Sequence, residues 1–299
     1  MENFALIFTA VILGYFLNKT ALFPKNTPII LNSYILYIAL PAMVLLEIPK
    51  LTFSYNVMIP VVVAWVVMIL SAGLILLISR YFAFSKEVKG ALLLVGVLGN
   101  TSFVGIPIIQ AYLGNSALGY VLMYDQLGST IALSTYGTFI AVYYSSTSKV
   151  DIKAIAKKIL IFPPFMALVV ALFFMGTTFP PIISSTLESF SLTIVPLALV
   201  AVGLQLRLRL LREELLPMSV ALITTLVFAP LIAFTLSYIF GWTHLSAKVA
   251  IMEASMGPMI TAGAIASMAG LAPRLSSSIV GYGILLSFIT TGIVFYTLV

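Results

Sequence analysis

The chain has 299 residues, 62% hydrophobic and 8% charged, with a mean hydropathy of +1.18. A soluble domain could not cover its surface with so few polar residues, so the composition reads as a polytopic membrane protein. The formal charge of +6 is scattered over short loops, which argues against a nucleic-acid partner; with no cysteine and one histidine, His244, there is no basis for disulfides, thiolate nucleophiles, a zinc site or a Ser-His relay.

A hydrocarbon core of about 30 Å takes roughly 20 helical residues. On that ruler ten spans fall near 4–17, 28–47, 57–79, 88–113, 117–145, 162–176, 181–205, 215–240, 247–271 and 276–298. The first and sixth are short for a full crossing. The N-terminus, Met1-Glu2-Asn3, lacks the basic region of a cleaved signal peptide, so the first run is expected to be retained. Placing that end outside puts Lys19, Lys25, Arg80, Lys86, Lys89, Lys149, Lys153, Lys157, Lys158, Arg207, Arg209, Arg212 and Arg274 in inner loops and leaves only Lys50 and Lys248 outside. This positive-inside bias favours ten spans in the cell membrane with both termini extracytoplasmic.

The second half repeats the first. Phe23-Pro24 precedes Pro41 much as Phe179-Pro180 precedes Pro196, and the intervals Pro41 to Pro107 and Pro196 to Pro258 are 66 and 62 positions. Five helices per half is odd, so the second copy enters from the other side: an all-α inverted repeat. The expected division is 1–145 for the first repeat, 146–161 for a cytoplasmic linker and 162–299 for the second repeat. The linker reads as a plain charged connection or as an amphipathic helix on the inner leaflet.

Two apolar stretches carry polar and helix-breaking residues. In Gly96 to Gly114, GVLGNTSFVGIPIIQAYLG, these are Asn100, Thr101, Ser102, Gly105 and Pro107; in Glu253 to Gly270, EASMGPMITAGAIASMAG, they are Gly257 and Pro258. Proline removes a donor and presses on the preceding turn, and freed backbone survives at membrane depth only beside protein or water. Interrupted segments at matching places point to a transporter's binding site. Half-helices beginning near Pro107 and Pro258 would offer amides and a positive dipole end to an anion, and the carbonyl ends before them would suit a cation. No lysine or arginine lies within a span, so a carboxylate would be held by amides, Asn100 and hydroxyls; a neutral polar substrate suits the same donors.

Four acids differ by depth. Glu47 and Glu188 fall near span ends and read as solvated or interfacial. Asp125 and Glu253 lie roughly 9 to 13 Å from the outer ends of their spans, where a charge is expensive and usually functional. Asp125 has Ser129 at i+4, and Gln126 aligns with Thr130 and Ser134, giving span five a polar face. An acid beside freed carbonyls can bind sodium or exchange a proton; a hydrogen-bonded structural acid is the alternative for each.

At these motifs the sequence resembles the auxin efflux carrier family of plants, bacteria and archaea. The residues that carry the likeness are Asn100, Thr101, Phe103, Gly105 and Pro107 closed by Gly114, the run PLALVAVG from Pro196 to Gly203, and Ser255 to Pro258. The resemblance implies a transport unit of spans three to five and eight to ten, with spans four and nine crossing at the two prolines. It implies a scaffold of spans one, two, six and seven that dimerises, elevator-type alternation, and export of small organic anions, indole-type auxins in plants and carboxylates such as malonate in microbes. The implied fold is similar to that of sodium-coupled bile-acid symporters, where an acid and a methionine, as at Glu253 and Met256, stand at a sodium site. Two features depart from the family: the long cytoplasmic loop of many plant carriers is missing, and with it the expected kinase control, and a double proline followed by asparagine is replaced by Gly257-Pro258 and then Thr261.

The expected function is therefore secondary transport of a small organic anion. Substrate contacts are assigned to Asn100, Thr101, Ser102, Gly105, Pro107, Gln126, Gly257, Pro258 and Thr261, and ion coupling to Asp125, Glu253, Ser129, Ser255 and Met256. No cofactor is required beyond a coupling sodium ion, at Glu253 or Asp125, or a proton. The expected partners are the substrate, the bilayer and a second copy of the chain. The rival readings are a membrane sensor that binds a lipid or hormone and moves nothing, an intramembrane enzyme using two acids, and a channel.

Overall fold

The computed structural model describes residues 2–20, 22–52, 54–145, 160–206 and 212–298. Among these the chain is all-helical. The helices are α1 (Glu2–Thr20), α2 (Thr27–Glu47), α3 (Tyr55–Tyr81), α4 (Lys86–Val95), α5 (Thr101–Leu113), α6 (115–144), α7 (Pro163–Phe173), α8 (Pro181–Gln205), α9 (Arg212–Ile239), α10 (Leu245–Ala254), α11 (Ile260–Met268) and α12 (Pro273–Leu298). Five of them, α2, α3, α8, α9 and α12, are long and apolar enough to cross a membrane. Their lipid-facing residues are bare, as is Leu77 of α3 at 70% exposure, and Phe173 at the end of α7 reaches 85%. Aromatic pairs cluster at both ends of α3: Tyr55 meets Trp242, which stacks on Phe240, at one, and Tyr81 meets Phe82, which stacks on Phe84, at the other, as interfacial belts do. The chain is a multi-pass membrane protein.

Hydropathy placed most boundaries closely, α8 at both ends. α12 starts earlier than expected because Pro273 opens it, a position where the missing N–H costs nothing. α7 has 11 residues and a length of about 17 Å, well short of a crossing. The linker expected at 146–161 lies outside the described residues up to 159. The expected spans 88–113 and 247–271 are each two rods. α4, α10 and α11 have 10, 10 and 9 residues, so each is about 15 Å long, half of a hydrocarbon core of about 30 Å.

Proline explains a second irregularity. Of five wide π stretches among the described residues, three, Ile35–Ala39, Thr101–Gly105 and Thr224–Phe228, each end two residues before a proline: Pro41, Pro107 and Pro230. A proline ring collides with the carbonyl four residues back, here on Tyr37, Phe103 and Leu226, and a widened turn moves that carbonyl aside. The helix continues instead of breaking.

α1, α2, α7 and α8 pack on one another. α1 and α8 touch backbone to backbone, since a Cβ at Gly14 would overlap the Val200 carbonyl and one at Gly203 the Val11 carbonyl. α4, α11 and α12 form a second group, and α3 packs on α6 and α10. Glu47, expected to be solvated, is buried at the end of α2 and bonded to Lys50 Nζ at 2.7 Å; the lysine three residues on reaches back over it. Glu188 is exposed.

Candidate functional site

The chain leaves α4 at Gly96 and α10 at Ser255, and the two non-helical segments meet. Gly99 and Pro258 form an antiparallel bridge in which Asn100 N–H donates to Gly257 O at 2.7 Å and Met259 N–H donates to Leu98 O at 2.8 Å. Each break thus satisfies part of the other's freed backbone, as lipid cannot. Thr225 on α9 answers another freed group, its hydroxyl reaching Gly96 O at 3.3 Å and Ala221 O at 2.7 Å. Gly283 on α12 admits the second break: a Cβ there would overlap the Pro258 ring.

The first break lies at Gly99 and Asn100, not at Pro107. Pro107 sits inside α5 behind its π turn, where its missing donor is tolerated. Asn100 caps α5, its Oδ1 accepting from Phe103 N–H at 3.2 Å. The hydroxyls of Thr101 and Ser102 both donate to Asp125 Oδ1, at 2.5 and 2.6 Å, and Gln126 Nε2 donates to Asp125 Oδ2 at 2.6 Å. Asp125 is therefore a fully answered carboxylate that ties the first turn of α5 to α6. The hydroxyl protons expected to hold a substrate are committed to it.

Glu253 is the opposite case. It is 1% exposed, and neither carboxyl oxygen has a hydrogen-bond partner. Among the described residues eight buried side-chain polar atoms lack a partner, and four of them lie here: both Glu253 oxygens, Asn100 Nδ2 and Gln126 Oε1. An unanswered buried polar atom costs about 1–3 kcal/mol, more if charged, so their gathering at one crossing makes it the candidate site. Beside Glu253 is a cavity of about 30 Å³ lined by Gly99, Ser129, Thr225, Tyr124 and Trp65 among others. That volume accepts water or a bare monovalent ion and no organic molecule. α11 starts next to the bridge at Met259 without a side-chain cap, and the first amides of a helix have no acceptor within it.

A profile of the membrane transport protein family matches residues 1–295. The chain belongs to that family. The resemblance read from NTSFVGIP and PLALVAVG pointed to the same group. An uncharacterized transporter of Methanocaldococcus jannaschii is 29% identical over 265 residues, covering 86% of this chain and 85% of the relative. A second, from Methanothermobacter thermautotrophicus, is 25% identical over 293 residues, covering 97% and 95%. The protein is thus a membrane transport protein and not an enzyme.

Within this transporter the anticipated site residues separate. Asn100, Thr101, Ser102, Gln126, Asp125, Gly257 and Pro258 meet at or next to the bridge. Ser129, at i+4 from Asp125, lines the cavity with Glu253. The Ser255 hydroxyl is spent on Met252 O at 2.7 Å, and Met256 is fully buried in the apolar core. Thr261 and Ser102 are only partly buried. Sequence reasoning missed Gly99, Thr225, Trp65 and Gly283. Trp65 donates to Leu127 O at 3.0 Å within the α6 π turn; a lone tryptophan or glycine in an apolar run carries no signal for such work.

Proposed function

We propose that the protein is a secondary transporter of a small organic anion, coupled to a cation carried by Glu253. The observation that supports this reading is the pairing, at one crossing, of a buried carboxyl lacking any donor with an Asn100 amide group and an uncapped helix start lacking any acceptor. The first calls for a cation, a proton or sodium; the second calls for an anion. The two acids named from sequence divide accordingly: Asp125 anchors, and Glu253 couples. With α4–α5 and α10–α11 each counted as one broken span, and the short α7 as a span over locally thinned lipid, the chain crosses ten times as two inverted five-helix repeats, both ends outside the cell membrane. α1, α2, α7 and α8 form the scaffold, through which two copies pair, and the remaining helices move past it as the elevator. The small size of the cavity fits an occluded state.

Flux in proteoliposomes tests this. A panel of labelled mono- and dicarboxylates is expected to include one that exchanges saturably and responds to a sodium or pH gradient, with the response lost in Glu253→Gln while the protein still folds. Binding without flux would favour the sensor, and unchanged gradient dependence in Glu253→Gln would remove Glu253 from coupling.

A further inference from the structure

Gly105 carries none of the usual reasons for a glycine. Its backbone is ordinary right-handed helix, φ −62° and ψ −52°, where glycine is less favourable than alanine. Its N–H is not available to a substrate either, because it closes the π turn onto Asn100 O at 3.0 Å. What the position supplies is room. A Cβ at residue 105 would stand 2.6 and 2.8 Å from the two oxygens of Glu253 and 3.0 Å from its Cδ. The carboxyl group of α10 fills the place of a missing side chain on α5, so the contact joins one broken span to the other.

We propose that Gly105 is the positioning residue for Glu253, a notch that seats the carboxyl at the crossing and beside the small cavity. This rests on the reading of Glu253 as the cation carrier. The other titratable groups facing it are Asp125 and Tyr124, both from α6; Asp125 is already held by three donors. No lysine or arginine shares the cavity lining, so where the Glu253 carboxyl rests depends on shape, which is what Gly105 provides.

Gly105→Ala tests the notch. The crowded atoms are the far end of a flexible side chain, so the variant is expected to fold with the carboxyl swung out. The sodium concentration or proton activity that half-maximally shifts its melting temperature, and that half-saturates transport, should rise at least tenfold. Aspartate is one methylene shorter, so Gly105→Ala/Glu253→Asp should recover most of that loss, which a merely structural glycine would not allow. A second cycle reads the seat without any coupling: Gly105→Ala should lower the melting temperature of the wild type and raise it in a Glu253→Ala background, where the space is empty. Cation dependence unchanged in Gly105→Ala but abolished in Glu253→Gln would overturn the proposal. If Glu253→Gln itself keeps cation dependence, the coupling reading fails and the seat is judged by the stability cycle alone, in which the same sign in both backgrounds overturns it. Should Gly105→Ala not fold, folding of the double variant with Asp supports the notch and its failure refutes it.

Discussion

Asp125 offers the sharpest test of how the two acids share their work. Its carboxylate accepts from Thr101, Ser102 and Gln126. Hydrogen bonds to a charged acceptor contribute about 1.5–3 kcal/mol each against about 0.5–1.5 for neutral ones. In Asp125→Asn, Oδ1 still accepts from both hydroxyls, and Gln126 can turn its free Oε1 toward the new amide. The three bonds weaken without being lost, and because polar contacts inside membranes measure at the low end, the expected cost is about 1–3 kcal/mol. Asp125→Ala leaves two buried donors, on Thr101 and Gln126, and the partly buried Ser102 hydroxyl unanswered, at about 3–5 kcal/mol in all after local relaxation. Equilibrium unfolding in mixed micelles ranks the three proteins, and flux in parallel should show Asp125→Asn keeping its response to cations. A protein as stable as the wild type, or one that loses cation dependence at unchanged stability, would refute the assignment of Asp125 as an anchor.

Two glycines should respond in opposite directions. Gly283→Ala drives a methyl into the Pro258 ring, which cannot yield as a flexible chain does, so it should cost about 1–3 kcal/mol; Gly73→Ala in α3 meets nothing within 4 Å and should gain about 0.5–1 kcal/mol. Unfolding midpoints in the same micelles measure both. Thr225→Val keeps the shape of α9 while abandoning Gly96 O, and should cost about 1–2 kcal/mol with a rise in amide exchange along the 96–100 segment.

The spans were readable because lipid imposes one requirement, a long apolar helix, and residues 181–205 met it at both ends. The broken stretches were readable from Asn100, Gly257 and Pro258, residues that a continuous helix would not choose. The location of the first break was not. Pro107 looks like the cause in a linear reading, yet a proline in the first turns of a helix disturbs little once the preceding turn is wide, and the chain parts at Gly99 instead. The work of Asp125 was hidden for another reason: two of its three partners, Thr101 and Ser102, come from a different helix. Glu253 was recognisable as costly, but that its oxygens have no partner, and that Gly105 makes room for them, depends on packing between α5 and α10.

The joint between the two breaks is made of peptide groups: Asn100 N–H to Gly257 O and Met259 N–H to Leu98 O. Such a joint demands nothing of the side chains at 100 and 259 except that neither be proline, which has no N–H to give. Descendants of this chain can therefore change the side chains at 100 and 259 and still keep both of these bonds.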